Sequence, residues 1–193
     1  MKISFYHKLF LCAVALAMGI LGDTTAQAQR GGVPVWTNSY NGPGNSGDQA
    51  RAMAVDTSGN VFVTGESWSG SSDDYATIKY SGAGVALWTN RYNGPGNSDD
   101  YAEAMAVDTS GNVFVTGDSL GTNLLSDYAT IAYSGAGVAL WTNRYNGPEN
   151  NRDQAGAVVV DGSGNVFVTG RSVGSGSDYD YATIKYSGAG VAL

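Results

Sequence analysis

Short apolar runs alternate with turn-forming residues along most of this chain, and no stretch keeps a helical spacing of apolar positions. Between residues 102 and 145 the runs lie at 102–108, 112–117, 128–133 and 138–145. They are rich in Val, Ile, Thr, Tyr, Phe and Trp, which favour strands, whereas Gly, Ser, Asn and Asp fill the turns between them. The pattern predicts a four-stranded antiparallel meander.

This pattern occurs three times at a regular spacing. The octapeptide Tyr-Ser-Gly-Ala-Gly-Val-Ala-Leu stands at 80–87, 133–140 and 186–193, and Trp-Thr-Asn-x-Tyr-Asn-Gly-Pro begins at Trp36, Trp88 and Trp141. Such a period indicates a repeat architecture. We place the repeats at approximately 33–84, 85–137 and 138–190, with residues 191–193 starting a further strand.

The central strand of each repeat is apolar without alternation, as in Val113-Phe114-Val115. A strand with apolar side chains on both faces belongs to a sheet that is covered on both sides. The first strand is rich in alanine, and small side chains suit the crowded inner edge of a propeller. The predicted sheets therefore stack face to face around an axis.

Three sequence elements recur together: Asp-x-Ser-Gly-Asn-Val-Phe-Val-Thr-Gly, Asp-Tyr-Ala-Thr-Ile-x-Tyr-Ser-Gly-Ala-Gly and Trp-Thr-Asn-x-Tyr-Asn-Gly. They resemble the bacterial SBBP-type β-propeller repeat, and the resemblance covers nearly all of residues 33–193. It implies four-stranded blades in an exported bacterial protein and brings no catalytic residues with it.

Propellers usually contain four to eight blades, whereas three are encoded here. We therefore expect an all-β, propeller-like array of about three four-stranded antiparallel blades, either incomplete or closed by oligomerisation. A homodimer would complete a six-bladed ring. A single-chain threefold β-trefoil or β-prism is the alternative fold, and a truncated fragment without independent function is another interpretation.

The first 28 residues are typical of a signal peptide. Lys2 and Lys8 provide a positive start, residues 9–22 are apolar, and Ala26-Gln27-Ala28 forms a cleavage site. We therefore divide the chain into a signal peptide, 1–28, and a repeat domain, 29–193. This division predicts a secreted, periplasmic or cell-surface protein.

Cleavage would also restrict the chemistry. The chain's only histidine, His7, and its only cysteine, Cys12, both precede the cleavage site, which excludes Ser-His-Asp and Cys-His catalysis within the remaining chain. That remaining chain has 8 basic and 16 acidic residues. Its negative charge argues against nucleic acid as a partner, because such binding needs clustered Lys and Arg.

Candidate binding residues lie where the copies differ, on the face that carries the longer loops: 66–74, 118–127 and 171–180, and 44–49, 96–101 and 149–154. Trp68 occurs once and could stack on a sugar or contact a protein. Arg51 and Glu103 share one repeat position and could shape a channel mouth or pair with each other. The acidic candidates are Asp73, Asp74, Asp99, Asp100, Asp178 and Asp180.

These acids could bind Ca²⁺, which takes six to eight oxygen ligands, or could be solvated loop residues; we expect no other cofactor. The identical copies of Asp56, Asp108 and Asp161 are interpreted as hairpin turns, and the repeated tryptophans as packing between blades.

The favoured function is a non-enzymatic binding scaffold for a glycan, a surface polymer or a protein. A carbohydrate-active enzyme that uses paired carboxylates is the alternative.

Overall fold

Eleven β-strands in three antiparallel sheets make up the regular structure of the described residues, which are 33–176 and 178–193 of the computed structural model. The predicted signal peptide lies outside these ranges. Residues 33–37 belong to one unit and contain no strand, whereas Asn38–Leu193 form the unit that holds all three sheets. No helix that could span a membrane is found in the described part of the chain.

Each sheet is a meander in which strands adjacent in sequence pair side by side. The first sheet contains β1 (Asp48–Val55), β2 (Val61–Trp68), β3 (Asp73–Tyr80) and β4 (Ala86–Tyr92). The second contains β5 (Asp100–Val107), β6 (Val113–Leu120), β7 (Ser126–Tyr133) and β8 (Ala139–Tyr145). The third contains β9 (Asp153–Val160), β10 (Val166–Val173) and β11 (Tyr179–Tyr186). The all-β prediction and the meander are confirmed.

The second and third strands of each sheet extend further than their sequence predicts. In the second sheet the β6–β7 pairing continues to Asp118↔Tyr128 and Leu120↔Ser126. Residues 118–127 were expected to form a variable loop because Asp and Ser favour turns. Backbone pairing overrides that preference, so only residues 121–125 separate the two strands.

The continuous apolar run of β6 is buried on both faces, as predicted. Val113 and Val115 pack towards the first sheet in a core with Phe62 and Tyr75. Phe114, on the opposite face, packs towards the third sheet in a core with Val166. The second sheet is therefore sandwiched between the other two, and the alanine-rich first strands of neighbouring sheets contact each other.

Trp88 and Trp141 pack between blades, which confirms their predicted role. The Trp88 ring centroid lies 6.0 Å from that of Phe62 in its own sheet and 6.0 Å from that of Tyr133 in the next sheet. Its Nε1 donates to the Gly135 carbonyl at 3.2 Å. Trp141 repeats the hydrogen bond one blade later, to the Gly188 carbonyl at 3.0 Å.

Asp108 closes the β5–β6 hairpin as the sequence predicts. Its Oδ1 accepts hydrogen bonds from the amides of Ser110 and Asn112, both at 2.8 Å. Gly111 adopts a φ of 81°, which favours glycine. Asp56 and Asp161 make the same contacts in the other two sheets.

The three sheets form an open array within the described residues rather than a closed ring. Successive sheets pack face to face, so the arrangement is propeller-like and the trefoil and prism alternatives are not observed. The third sheet contains three strands, and Ala192 forms one isolated bridge with Tyr186.

Candidate functional site

A cleft opens between the second and third sheets, at the end where β6 finishes and β9 begins. It has a volume of about 280 Å³. We call it the interblade cleft; its lining residues are Tyr101, Asp118, Leu120, Leu124, Ser126, Arg152, Gln154, Arg171 and Tyr179. An adjoining hollow of about 400 Å³ shares Asp118, Gln154 and Arg171 with it and is also lined by Glu103. The cleft lies on the loop face that the sequence favours for binding.

Within each sheet, strand register places the lining side chains next to one another. Asp118 and Leu120 lie two residues apart on β6 and thus share a face. On the third sheet, Arg171 of β10 pairs in register with Gln154 of β9. Val173 pairs with Tyr179 of β11, which places the tyrosine next to Arg171 at the same end of the sheet.

A chain of polar contacts crosses the interblade cleft. Gln154 Nε2 donates to Asp118 Oδ2 at 3.3 Å, which joins the third sheet to the second. Arg171 in turn donates from Nε to Gln154 Oε1 at 2.7 Å. The Arg171 guanidinium also lies 4.6 Å from the centroid of the Tyr179 ring, in a cation–π contact. The cleft thus combines acidic, amide, basic and aromatic groups.

Burial raises the pKa of two groups in the cleft. It raises the pKa of Asp118 above the ordinary value, and the hydrogen bond from Gln154 opposes that rise. Burial also raises the pKa of Tyr101 to about 12, with further contributions from the negative charges of Asp99 and Asp73. A hydrogen bond between the Tyr101 hydroxyl and the Asp99 carboxylate adds to the rise, so this hydroxyl already has an acidic partner.

The side chains of the cleft are found at the junction of the second and third sheets and not at that of the first and second, because the repeats differ at these positions. Three repeat positions carry different residue types in the three copies: Glu66, Asp118 and Arg171; Gly47, Asp99 and Arg152; Asp73, Ser126 and Tyr179. At the junction of the first and second sheets, Asp99 and Asp118 stand in place of Arg152 and Arg171, and Ser126 stands in place of Tyr179. There the Asp73 amide donates to Asp99 Oδ1 at 3.1 Å.

Two of the acidic candidates are buried and engaged within the fold. Asp74 forms an ion pair with Arg91 at 3.0 Å. Asp127, its counterpart in the second repeat, does the same with Arg144 at 2.9 Å, so the position serves the fold in these two copies. Asp100 accepts a hydrogen bond from the Gly94 amide at 2.6 Å, and burial raises its pKa to about 6.

Of the remaining acids, Asp99 borders the interblade cleft, because it is hydrogen-bonded to Tyr101, whereas Asp73, Asp178 and Asp180 do not line the cleft. Burial raises the pKa of Asp73, and the charge of Asp99 adds to the effect. Asp178 is exposed in the turn before β11, and Asp180 is exposed on that strand. No group of three or more carboxylates placed to hold a metal ion occurs among the described residues.

Trp68 and Arg51 also lie outside the cleft. Trp68 ends β2 rather than lying in a loop, and its carbonyl accepts from the Gly44 amide at 3.1 Å. Arg51 binds Glu66 of its own sheet through two hydrogen bonds of 2.9 Å, so Glu66 rather than Glu103 is its ion-pair partner. Glu103 lines the adjoining hollow, where burial raises its pKa.

Most of the residues that line the cleft are not singled out by the sequence pattern; they include Tyr101, Arg152, Gln154, Arg171 and Tyr179. One signal was available, because positively charged and aromatic side chains replace acids only in the third copy. What the sequence does not state is which strand ends meet across neighbouring sheets. That information comes from the packing of the third sheet on the second, in which β9 contacts β6.

Comparison with known families agrees with this architecture. The family model described as SBBP beta-propeller repeat matches residues 39–71 and 87–124. Comparison with curated proteins gives no match. The matched segments cover strands of the first and second sheets, which are built alike and packed face to face. The chain therefore contains SBBP-type β-propeller repeats in these two segments.

Proposed function

We propose that this chain is an exported, non-catalytic propeller module that binds a ligand through the interblade cleft, at or outside the cell envelope. The observation that carries the proposal is the composition of the cleft. Its basic, amide and aromatic side chains come from repeat positions that differ between the copies, whereas residues that build the fold are repeated. The signal-like sequence at 1–28 supports export.

A glycan is the ligand class that these side chains fit best. Tyr101 and Tyr179 offer flat apolar surfaces with polar tips, and Gln154 and Asp118 offer hydrogen-bond partners for hydroxyl groups. The cleft is open and of modest volume, which suits part of a polymer rather than an enclosed small molecule. A surface polymer or a protein remains an outcome of the binding screen.

The experiment is a screen of polysaccharides and envelope proteins against the full chain, followed by titration of any hit. Tyr179→Ala should weaken binding about tenfold, because it removes an aromatic contact in the cleft. Tyr181→Ala is the matched control: Tyr181 lies two residues further along β11, is 97% exposed and does not line the cleft. Equal loss with both variants, or no bound ligand, would contradict the proposal.

A carbohydrate-active enzyme is the second candidate function, and one observation favours it. Glu103 and Asp118 line the same hollow, and burial raises the pKa of both carboxyl groups. A pair of carboxyl groups is what glycoside hydrolysis requires. Release of new reducing ends by the chain, lost in Glu103→Gln and Asp118→Asn, would replace the binding proposal with this one.

A further inference from the structure

Two arginines in the interblade cleft have no carboxylate partner among the described residues. Elsewhere in that part of the chain Arg51, Lys79, Arg91 and Arg144 form ion pairs, and Lys185 lies over the ring of Phe167. Arg152 and Arg171 form none, although acids outnumber basic residues in this protein. Arg171 donates to the amide oxygen of Gln154 and lies over the ring of Tyr179, and its charge lowers the pKa of Asp118 without a direct ion pair. Two such guanidinium groups in one cleft favour an anionic ligand.

Leu124, on the rim of the same cleft, adopts a conformation that leucine disfavours. Its φ is 60°, in the left-handed region. The turn 121–125 has the hydrogen-bond pattern of the hairpin turn at 108–112, so Leu124 stands where that turn has Gly111. Its side chain is 63% exposed, and burial within the fold therefore does not explain a leucine there. Strained residues of this kind tend to cluster at ligand sites.

We propose that the interblade cleft binds an acidic saccharide, with the carboxylate of a hexuronate unit held by Arg152 and Arg171. Tyr179 and Leu124 contact the apolar face of the sugar ring. Gln154 donates its second amide hydrogen to a sugar oxygen, and Asp118 accepts from the hydroxyl groups. This inference rests on the proposed function and specifies the class of ligand.

An acidic saccharide can contact more of the side chains that line the cleft than other anions can. A free phosphate would use the arginines but would leave Leu124 and the ring of Tyr179 without a contact, and the acidic excess of the chain disfavours a nucleic acid. An acidic peptide would use the arginines and the apolar groups but offers few hydroxyl donors to Asp118. A hexuronate carries a carboxylate, an apolar ring face and several hydroxyls on one small unit.

The test is calorimetric titration of the full chain with a galacturonate tetrasaccharide and with its methyl ester, which has the same ring and linkage but no charge. We expect the acid to bind about tenfold more tightly than the ester, because a charge-assisted hydrogen bond is lost in the ester. Arg152→Gln and Arg171→Gln should each remove that difference. Arg51→Gln, an arginine outside the cleft, should keep it.

Leu124→Gly distinguishes a role of Leu124 in ligand binding from a role in stabilising the fold. Glycine relieves the left-handed strain, so the thermal midpoint should stay unchanged or rise by about 2 °C. Binding of the galacturonate tetrasaccharide should nevertheless weaken, because the apolar contact is lost. A lowered midpoint together with unchanged binding would overturn the role of Leu124 in the inference.

The outcomes separate this inference from the proposed function. Equal affinity for acid and ester, or arginine variants without effect, would overturn the acidic class while the cleft remains a glycan site. Tighter binding of a glutamate tetrapeptide through the same arginines would overturn it in favour of an acidic peptide. Failure of every probe and of the wider screen would overturn both proposals.

Discussion

Gln154 of the third sheet donates a hydrogen bond to Asp118 of the second sheet, with 3.3 Å between Nε2 and Oδ2. The contact ties two blades together at the mouth of the interblade cleft. Both residues stand at positions where the three copies differ in residue type or charge. The residues that hold the blades together elsewhere, such as Trp88 and Trp141, are the same in each copy. The residues that hold the blades together are thus the same in each copy, whereas the residues that line the cleft differ between the copies.

Trp88→Ala should destabilise the fold by about 2–4 kcal/mol, because it opens a cavity between the first and second sheets and removes a hydrogen bond to Gly135. Leu87→Ala is the neighbouring control. Leu87 is 51% exposed and should change the free energy of unfolding by less than about 1 kcal/mol. Urea denaturation measures both. Equal effects would contradict a packing role for the tryptophan.

Arg144→Ala should cost about 2–3 kcal/mol of stability. The guanidinium binds Asp127 at 2.9 Å, the Ser119 carbonyl at 2.8 Å and the Tyr92 hydroxyl at 3.3 Å. Its loss leaves a half-buried carboxylate without its cation. Arg51→Ala, which removes an arginine from a more exposed ion pair, should change the denaturation midpoint much less. The opposite order would refute the structural role assigned to Arg144.

Asp100→Asn should change how stability depends on pH. Burial raises the pKa of Asp100 to about 6, so the folded state binds its proton more tightly than the unfolded chain does. The associated stability is present below about pH 4 and is lost as the pH rises towards 6. The stability of Asp100→Asn relative to the native chain should therefore increase by about 2–3 kcal/mol between pH 4 and pH 7. Any pH-independent cost of the substitution cancels in that comparison, and a flat difference would contradict the raised pKa.

The outer face of the third sheet should promote self-association. Tyr181 is 97% exposed and Val159 is 61% exposed on this sheet. Uncovered apolar surface of this kind favours contact with another chain. The six-bladed homodimer stays a prediction, and light scattering during gel filtration tests it: the mass should rise with concentration, and Val159→Lys should lower it. A monodisperse monomer at all concentrations would exclude the homodimer.

The sequence predicts the blades well because their determinants are local. Gly117 illustrates this: a side chain there would collide with the Tyr101 carbonyl at the bulge between β5 and β6, so glycine recurs in each copy. The apolar run Val113-Phe114-Val115 likewise predicts that both faces of β6 are covered. Such constraints act within one repeat and are visible three times.

The site is harder to predict because it is made between repeats. Asp118 and Gln154 are 36 residues apart and meet only when two sheets pack together. Trp68 is a candidate binding residue by sequence because it occurs in only one copy. In the structure it ends β2, and its carbonyl is hydrogen-bonded to the Gly44 amide. Arg152 looked ordinary, and only the fold places it beside Arg171.

Hydrogen exchange of the backbone amides, with and without the galacturonate tetrasaccharide, tests the central claim most directly. The account predicts that bound saccharide protects the turn 121–125 and the first residues of β9, which border the interblade cleft. The hairpin turns at 56–60, 108–112 and 161–165, at the opposite end of the sheets, should exchange unchanged. Protection at those turns, or no protection at the cleft under saturating ligand, would contradict it.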